Sequence, residues 1–250
     1  MRTQLTLKAI GLSALLVCAF SSQSQATAII NGGFEAGFAG WSRFNQLGSE
    51  GTFALQTGTS SPVNGTVVPA PPGGSIAAMT DAEGPGSHVL SETFTVDALV
   101  SMATLSFDLF IGNRAGAFFV PSTLDFSTPT LNQQARVDII ASAADPFSLA
   151  PGDVLLNLFK TNPGDPLVSG YTHLSIDVTA LFNSHVNVPL TLRFAEADNV
   201  STFQMGVDNV AIQANPAQAV PETPSWILMF AGLFAIFWGR RRRDQRPRLA

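Results

Sequence analysis

Cysteine is nearly absent from this chain: Cys18 is the only one in 250 residues. It lies in an apolar run near the N-terminus, Ile10 to Phe20, so the remainder can form no disulfide and carry out no thiol chemistry. Basic residues are scarce between positions 29 and 219, where Arg43, Arg114, Arg136, Lys160 and Arg193 stand against sixteen Asp and Glu, a net of −11. That excludes a basic groove for nucleic acid and suits a solvated extracellular surface or cation binding. Tyrosine occurs once, Tyr171, and tryptophan once outside the last thirty residues, Trp41. The histidines, His88, His173 and His185, are scattered, with no His-Glu-x-x-His motif and no Gly-x-Ser-x-Gly elbow. His173, Ser175 and Asp177 share strand parity, but neighbours on one face of a strand lie nearly 7 Å apart, too far for a nucleophile and its base. They read as a polar strand face. No spacing singles out a carboxylate pair for glycoside hydrolysis, and the chain reads as non-enzymatic.

What is present is concentrated at the two ends. Arg2 and Lys8 precede the apolar stretch, and Ala26-Thr27-Ala28 closes it, which is the pattern of a secretory signal peptide over 1–28 cut after Ala28, with Ala26 as the second choice. At the other end Val220-Pro221-Glu222 leads into an apolar run from Trp226 to Trp238, followed by Arg240, Arg241, Arg242 and Arg243. At about 1.5 Å per helical residue this run covers about 20 Å against roughly 30 Å of hydrocarbon. Extension of the helix to 225–239, interfacial Trp226 and Trp238, and snorkelling arginines reduce the mismatch. The arginines of the 240–250 tail hold that end in the cytoplasm by the positive-inside rule and leave the body outside.

The ends together resemble the PEP-CTERM proteins, bacterial exported proteins whose C-terminal signal is processed by an exosortase. The resemblance covers Val220 to about Arg243, and departs from the usual tripeptide in that Thr223 follows Glu222 and proline comes only at Pro224. It implies sorting by an exosortase-like enzyme, an anchor in the envelope membrane, and release to the cell surface or matrix after processing.

The body, 29–213 with a linker over 214–224, reads as strands. Apolar residues recur every second position in Leu105 to Leu109, Val137 to Ile139 and Leu190 to Phe194, as in a sheet with one wet face. Further strands are expected at Thr52 to Gln56, Val89 to Val96, Val154 to Lys160, Tyr171 to Val178 and Thr202 to Ile212, separated by Gly- and Pro-rich turns. About eight antiparallel strands make an all-β sandwich, most simply a jelly roll, with long connections near 57–75 and 113–134. Phe203, Met205 and Val207 keep one parity while Val210 and Ile212 take the other, which places a β-bulge at Asp208-Asn209.

Asn31-Gly32-Gly33-Phe34-Glu35 with Gly40-Trp41, and the close Gly206 to Ile212, resemble the first and last strands of jelly-roll carbohydrate-binding and galactose-binding-like modules. Gln204-Met205-Gly206-Val207-Asp208 is similar to the Gln-Phe-x-x-Asp signature of a group of PEP-CTERM proteins. The resemblance implies a structural Ca²⁺ near those strands, for which Glu35 and Asp208 would offer hard oxygen ligands. The simpler expectation is that both carboxylates hydrogen-bond turn backbone. Trp41 is expected in the core, and Phe118-Phe119, in a long loop, would form a contact patch if exposed. The functions that follow are an envelope or matrix structural protein, a module binding extracellular polysaccharide, or, more distantly, a hydrolase.

Overall fold

The computed structural model describes residues 29–81 and 84–217. The expected signal peptide over 1–28, the Val220-Pro221-Glu222 motif, the run from Trp226 to Trp238 and Arg240 to Arg243 lie outside the described residues. Among the described residues no helix is long and apolar enough to cross a membrane.

The strands are β1 (Ser42–Asn45), β2 (Thr52–Thr57), β3 (Ile76–Asp81), β4 (Gly86–Thr95), β5 (Val100–Asn113), β6 (Gln133–Ala141), β7 (Val154–Lys160), β8 (Thr172–Asp177), β9 (Pro189–Asp198) and β10 (Phe203–Pro216). One short helix, α1 (Thr179–Ser184), lies between β8 and β9. The strands form two antiparallel sheets, ordered β1-β4-β9-β6-β7 and β2-β3-β10-β5-β8. All eight expected strands are present. β1 and β3 lack a clean apolar alternation, and β10 runs to Pro216, past the boundary expected at 213.

The period-two pattern sets the core. Leu90 and Phe94 of β4, Leu190, Leu192 and Phe194 of β9, Leu105, Phe107 and Leu109 of β5, and Phe203, Met205 and Val207 of β10 meet between the sheets. Phe107 and Phe194 stand edge to face, centroids 5.3 Å apart. Such burial contributes roughly 1.5–3 kcal/mol per large side chain. At one end Phe182 of α1 packs on Phe94, and Asn183 binds both backbone groups of Val100 at 2.8 and 2.9 Å.

The outer faces are not simply wet. The long connection after β5 lays Leu124 over Val89, Ala195 and Ala197, and the connection after β2 lays Val68 over Met79 and Phe110. Phe118 is therefore core, packing on Phe203 at 6.0 Å, and Phe119 is half-buried in a bridge to Gln133, so the expected Phe118-Phe119 surface patch does not form. Polar residues under these covers are held by bonds. Asp138 sits between Arg136, at 2.6 and 2.8 Å, and the fully buried Arg193, at 2.5 Å. Arg193 also donates to the carbonyls of Pro146 and Ser148, both at 2.8 Å, fastening that loop on the sheet.

The core face of β9 ends in acids. Glu196 and Asp198 alternate inward after Phe194, and neither oxygen of Glu196 has a hydrogen-bond donor among its neighbours. Burial and the adjacent Asp198 hold Glu196 well above the carboxylate range, and burial raises Asp198 to about 7, so the pair is stable when Glu196 keeps a proton for Asp198. A carboxyl raised in this way contributes stability fully below its ordinary pKa and loses it as pH rises through the folded value. Asp208, raised to about 6 chiefly through burial, acts in the same direction. His88, lowered by burial to about 4, acts oppositely between about 4 and 6.5, but one histidine is set against the three carboxyls of Glu196, Asp198 and Asp208. Melting temperature is therefore expected to fall from pH 5 to pH 7.5. Glu196→Gln, whose amide donates to Asp198 without a proton, should raise it at pH 7.5 and change it little at pH 5; identical profiles for the two proteins would contradict the assignment.

Candidate functional site

The two signature segments at the ends of the body meet. Asn31, at φ 54°, closes the first turn by donating to the carbonyls of Gly37 and Ala39 at 2.8 and 3.2 Å and accepting the Ala36 N–H at 3.0 Å. This turns Phe34 fully into the core against Trp41, whose indole N–H donates to the Ile30 carbonyl at 3.1 Å. The Gly32 carbonyl then accepts the Val210 N–H at 2.9 Å, and a Cβ on Gly32 would stand 1.9 Å from the Val210 carbonyl oxygen. Contact this close admits glycine alone. Val210 belongs to the bulge expected from the parity break: pairing of β10 with β5 shifts register between Asp208 and Ala211, with Asn209 at φ 51°.

Glu35 and Asp208 converge on one segment between β2 and β3. Glu35 Oε1 accepts the N–H groups of Ser75 and Ile76 at 2.6 and 2.9 Å. Asp208 Oδ2 accepts the Gly73 N–H at 3.0 Å and Oδ1 the N–H of Asn209 at 2.7 Å. Asn209 donates to Asp108 at 2.7 Å, and Asp108 meets His173 at 2.8 Å across the strand pair, so His173 is not engaged with Ser175. A calcium ion takes six to eight oxygens. Here two carboxylates are committed to backbone donors, and among the described residues no group of three or more His, Cys, Asp and Glu is placed to hold a metal. The bonds present match turn-holding.

The surface that remains open is on the outer face of β1, β4, β9 and β6. Ser42 and Phe44 of β1, Val89, Ser91 and Thr93 of β4, Thr191 of β9 and Ile140 of β6 form its floor, with Ser142, Ala144 and Pro146 as one wall, around a groove of about 110 Å³. The register explains the grouping: Ser42 lies beside Ser91, Thr93 beside Thr191 and Thr191 beside Ile140. Thr93 and Thr191 hydroxyls are 2.8 Å apart, and Phe44 is 39% exposed. Hydroxyls both donate and accept, and the half-exposed Phe44 ring offers an apolar face, so the groove presents both kinds of contact. It contains no acid, histidine or lysine. The sequence reading missed these residues because isolated Ser and Thr in strands carry no motif; the weak signal was the same-face pair Ser91 and Thr93.

A larger cleft of about 220 Å³ opens between the sheets at the edges of β7 and β8, lined by Leu109, Ile111, Phe118, Phe159 and Leu174. Its polar rim is already engaged: Asp165 caps the Asn162 N–H at 2.7 Å, and the Ser169 hydroxyl accepts the Ile111 N–H at 3.1 Å.

Turn-holding makes a specific expectation for Asp208. Asp208→Ala leaves the N–H of Gly73 without its acceptor and should lower stability by about 1–3 kcal/mol, by the same amount in millimolar calcium and in chelator. A calcium-dependent rise in melting temperature that Asp208→Ala abolishes would restore a cation to this junction.

No protein-family model matches the chain, and no curated protein matches it in sequence. Among solved structures it is similar to the K3 cleaved adhesin domain of Lys-gingipain from Porphyromonas gingivalis W83, at 13% identity over 75% of this chain and 99% of that one, TM-score 0.45. It is similar to TmCBM61 in complex with β-1,4-galactotriose, at 12% identity over 77% and 100%, TM-score 0.40. It is also similar to a Stig cyclase from Fischerella sp. TAU, at 17% identity over 78% and 100%, TM-score 0.43. At these identities and scores the likeness carries nothing about ligand or activity.

Proposed function

We propose that this chain is an exported, non-enzymatic interaction protein of the bacterial envelope, held by its C-terminal segment and sorted through Val220-Pro221-Glu222 by an exosortase-like enzyme. In this reading 1–28 is a cleaved signal, 225–239 a transmembrane helix, Arg240 to Arg243 its cytoplasmic stop, and the body a jelly roll displayed outside or released into the matrix. The back-and-forth run of the chain between β4-β9-β6-β7 and β3-β10-β5-β8 supports the jelly-roll form. The body contacts extracellular polysaccharide. The groove over β1, β4, β9 and β6, with its hydroxyls and Phe44, is the observation that carries this part. The inward-facing, fully buried Glu196 favours binding over hydrolysis, because the close acid pair is walled off from any substrate.

Two measurements test it. On a glycan array the exported protein should retain at least one polysaccharide, and Phe44→Ala should weaken that binding about tenfold, the equivalent of ~1.4 kcal/mol for a stacked ring. Retention of none would leave a purely structural envelope role. Intact mass of the product from cells with a working sorting enzyme should lack the segment after about Pro221-Glu222; a full-length tail would mean a permanent anchor.

A further inference from the structure

The chain enters the sandwich through Ile29 and Ile30, and both backbone polar groups of Ile30 are held. Its carbonyl accepts the Trp41 indole N–H at 3.1 Å, and its N–H donates to Glu92 Oε1 at 2.7 Å. Glu92 lies on the core-facing side of β4, between Leu90 and Phe94 in the alternation and level with Leu192 of β9, and is only 4% exposed. Its second oxygen, Oε2, is buried and has no hydrogen-bond partner among the described residues. The nearest basic side chain in sequence on the adjoining strand, Arg43, is engaged elsewhere: it donates to the Phe53 carbonyl at 2.8 Å and lies over the Phe38 ring at 4.4 Å.

A buried carboxylate oxygen left unbonded is costly, by more than a neutral group would be. Burial accordingly raises Glu92 to about 7. What would complete it is a donor carrying positive charge, arriving from the side where Ile30 already touches it. The nitrogen of Ile29 is one residue away, and consecutive Cα atoms are about 3.8 Å apart. In the uncut chain that nitrogen is an amide. Hydrolysis of the Ala28–Ile29 bond by a signal peptidase adds water across it, leaves a carboxylate on Ala28, and frees an amine on Ile29 that takes a proton at neutral pH.

We propose that Glu92 is the receptor for the α-ammonium group of Ile29, so that removal of the export signal itself completes a buried ion pair and fastens the N-terminal segment to β4. The inference rests on reading 1–28 as a signal cut after Ala28. It also makes the cut position matter: cleavage after Ala26 would leave the ammonium on Thr27, two residues before Ile29. The N-terminal segment is the one that carries Gly32, Phe34 and Glu35 to the β10 bulge, so the pair would secure that junction after export.

The exported protein tests this directly. Intact mass gives the first residue, and because Lys160 is the only lysine beyond residue 28, it also counts acetyl groups after mild amine acetylation. Acetylation of the Ile29 amine should lower the melting temperature by roughly 5 °C. In Glu92→Gln that difference should disappear. Independently of any variant, the pH dependence of the acetylation rate should place the Ile29 amine well above the ordinary α-amino value of about 8. Equal melting of free and acetylated protein, a difference that persists in Glu92→Gln, or an ordinary amine pKa would each overturn the pairing while leaving the cut at Ala28 standing. A first residue other than Ile29 would overturn the cleavage reading, and the pairing with it.

Discussion

The bulge in β10 is the constraint around which the rest of the body is arranged. Strand alternation already turns Asp208 outward under the 73–76 segment, and the extra residue that follows it frees the Val210 N–H for the Gly32 carbonyl. One irregularity thus ties together the first turn of the body, the long connection between β2 and β3, and a central strand. Sheets bend and twist at such points. The carboxylates of Glu35 and Asp208 hold the backbone N–H groups of Gly73, Ser75 and Ile76.

The long connections decide which surface is available. A sandwich of alternating strands would present two wet faces, but Val68 and Leu124 cover part of each and bury polar groups beneath them. Most of those groups find a partner: Tyr171 donates to Gln56 at 2.8 Å, and Asp138 binds two arginines. Burial, aided by the nearby carboxylates of Asp208 and Asp108, keeps the Tyr171 phenol protonated. Where the cover stops, over β1 and the middle of β4 and β9, the hydroxyl-lined groove remains.

An acidic chain has also placed acids inside. Glu92, Glu196 and Asp198 all lie on core-facing positions of the same sheet, and burial moves all three upward. For Glu196 the adjacent Asp198 adds to the upward push of burial. Glu92 has one oxygen satisfied by the Ile30 N–H and one without a hydrogen-bond partner among the described residues, a difference of neighbourhood between like residues.

Period-two alternation in Leu105 to Leu109 or Leu190 to Phe194 was enough to read strands, and their number was enough to read a sandwich, because burying one face of a strand forces apolar residues onto every second position. The parity break at Asp208-Asn209 was legible for the same reason, and so was the burial of Trp41. Neither β1 nor β3 could be read this way: β1 is exposed at all four positions, and β3, with Ala77, Ala78 and Met79 buried in succession, is covered on both faces. The groove could not be read either, since its residues come from four strands and become neighbours only through register. By itself the sequence determined the strands and the acidic balance of the body, both of which depend on order and composition along the chain. Which carboxylate meets a backbone N–H and which is buried without a donor was decided by tertiary structure, because desolvation and partners exist only once distant strands are side by side.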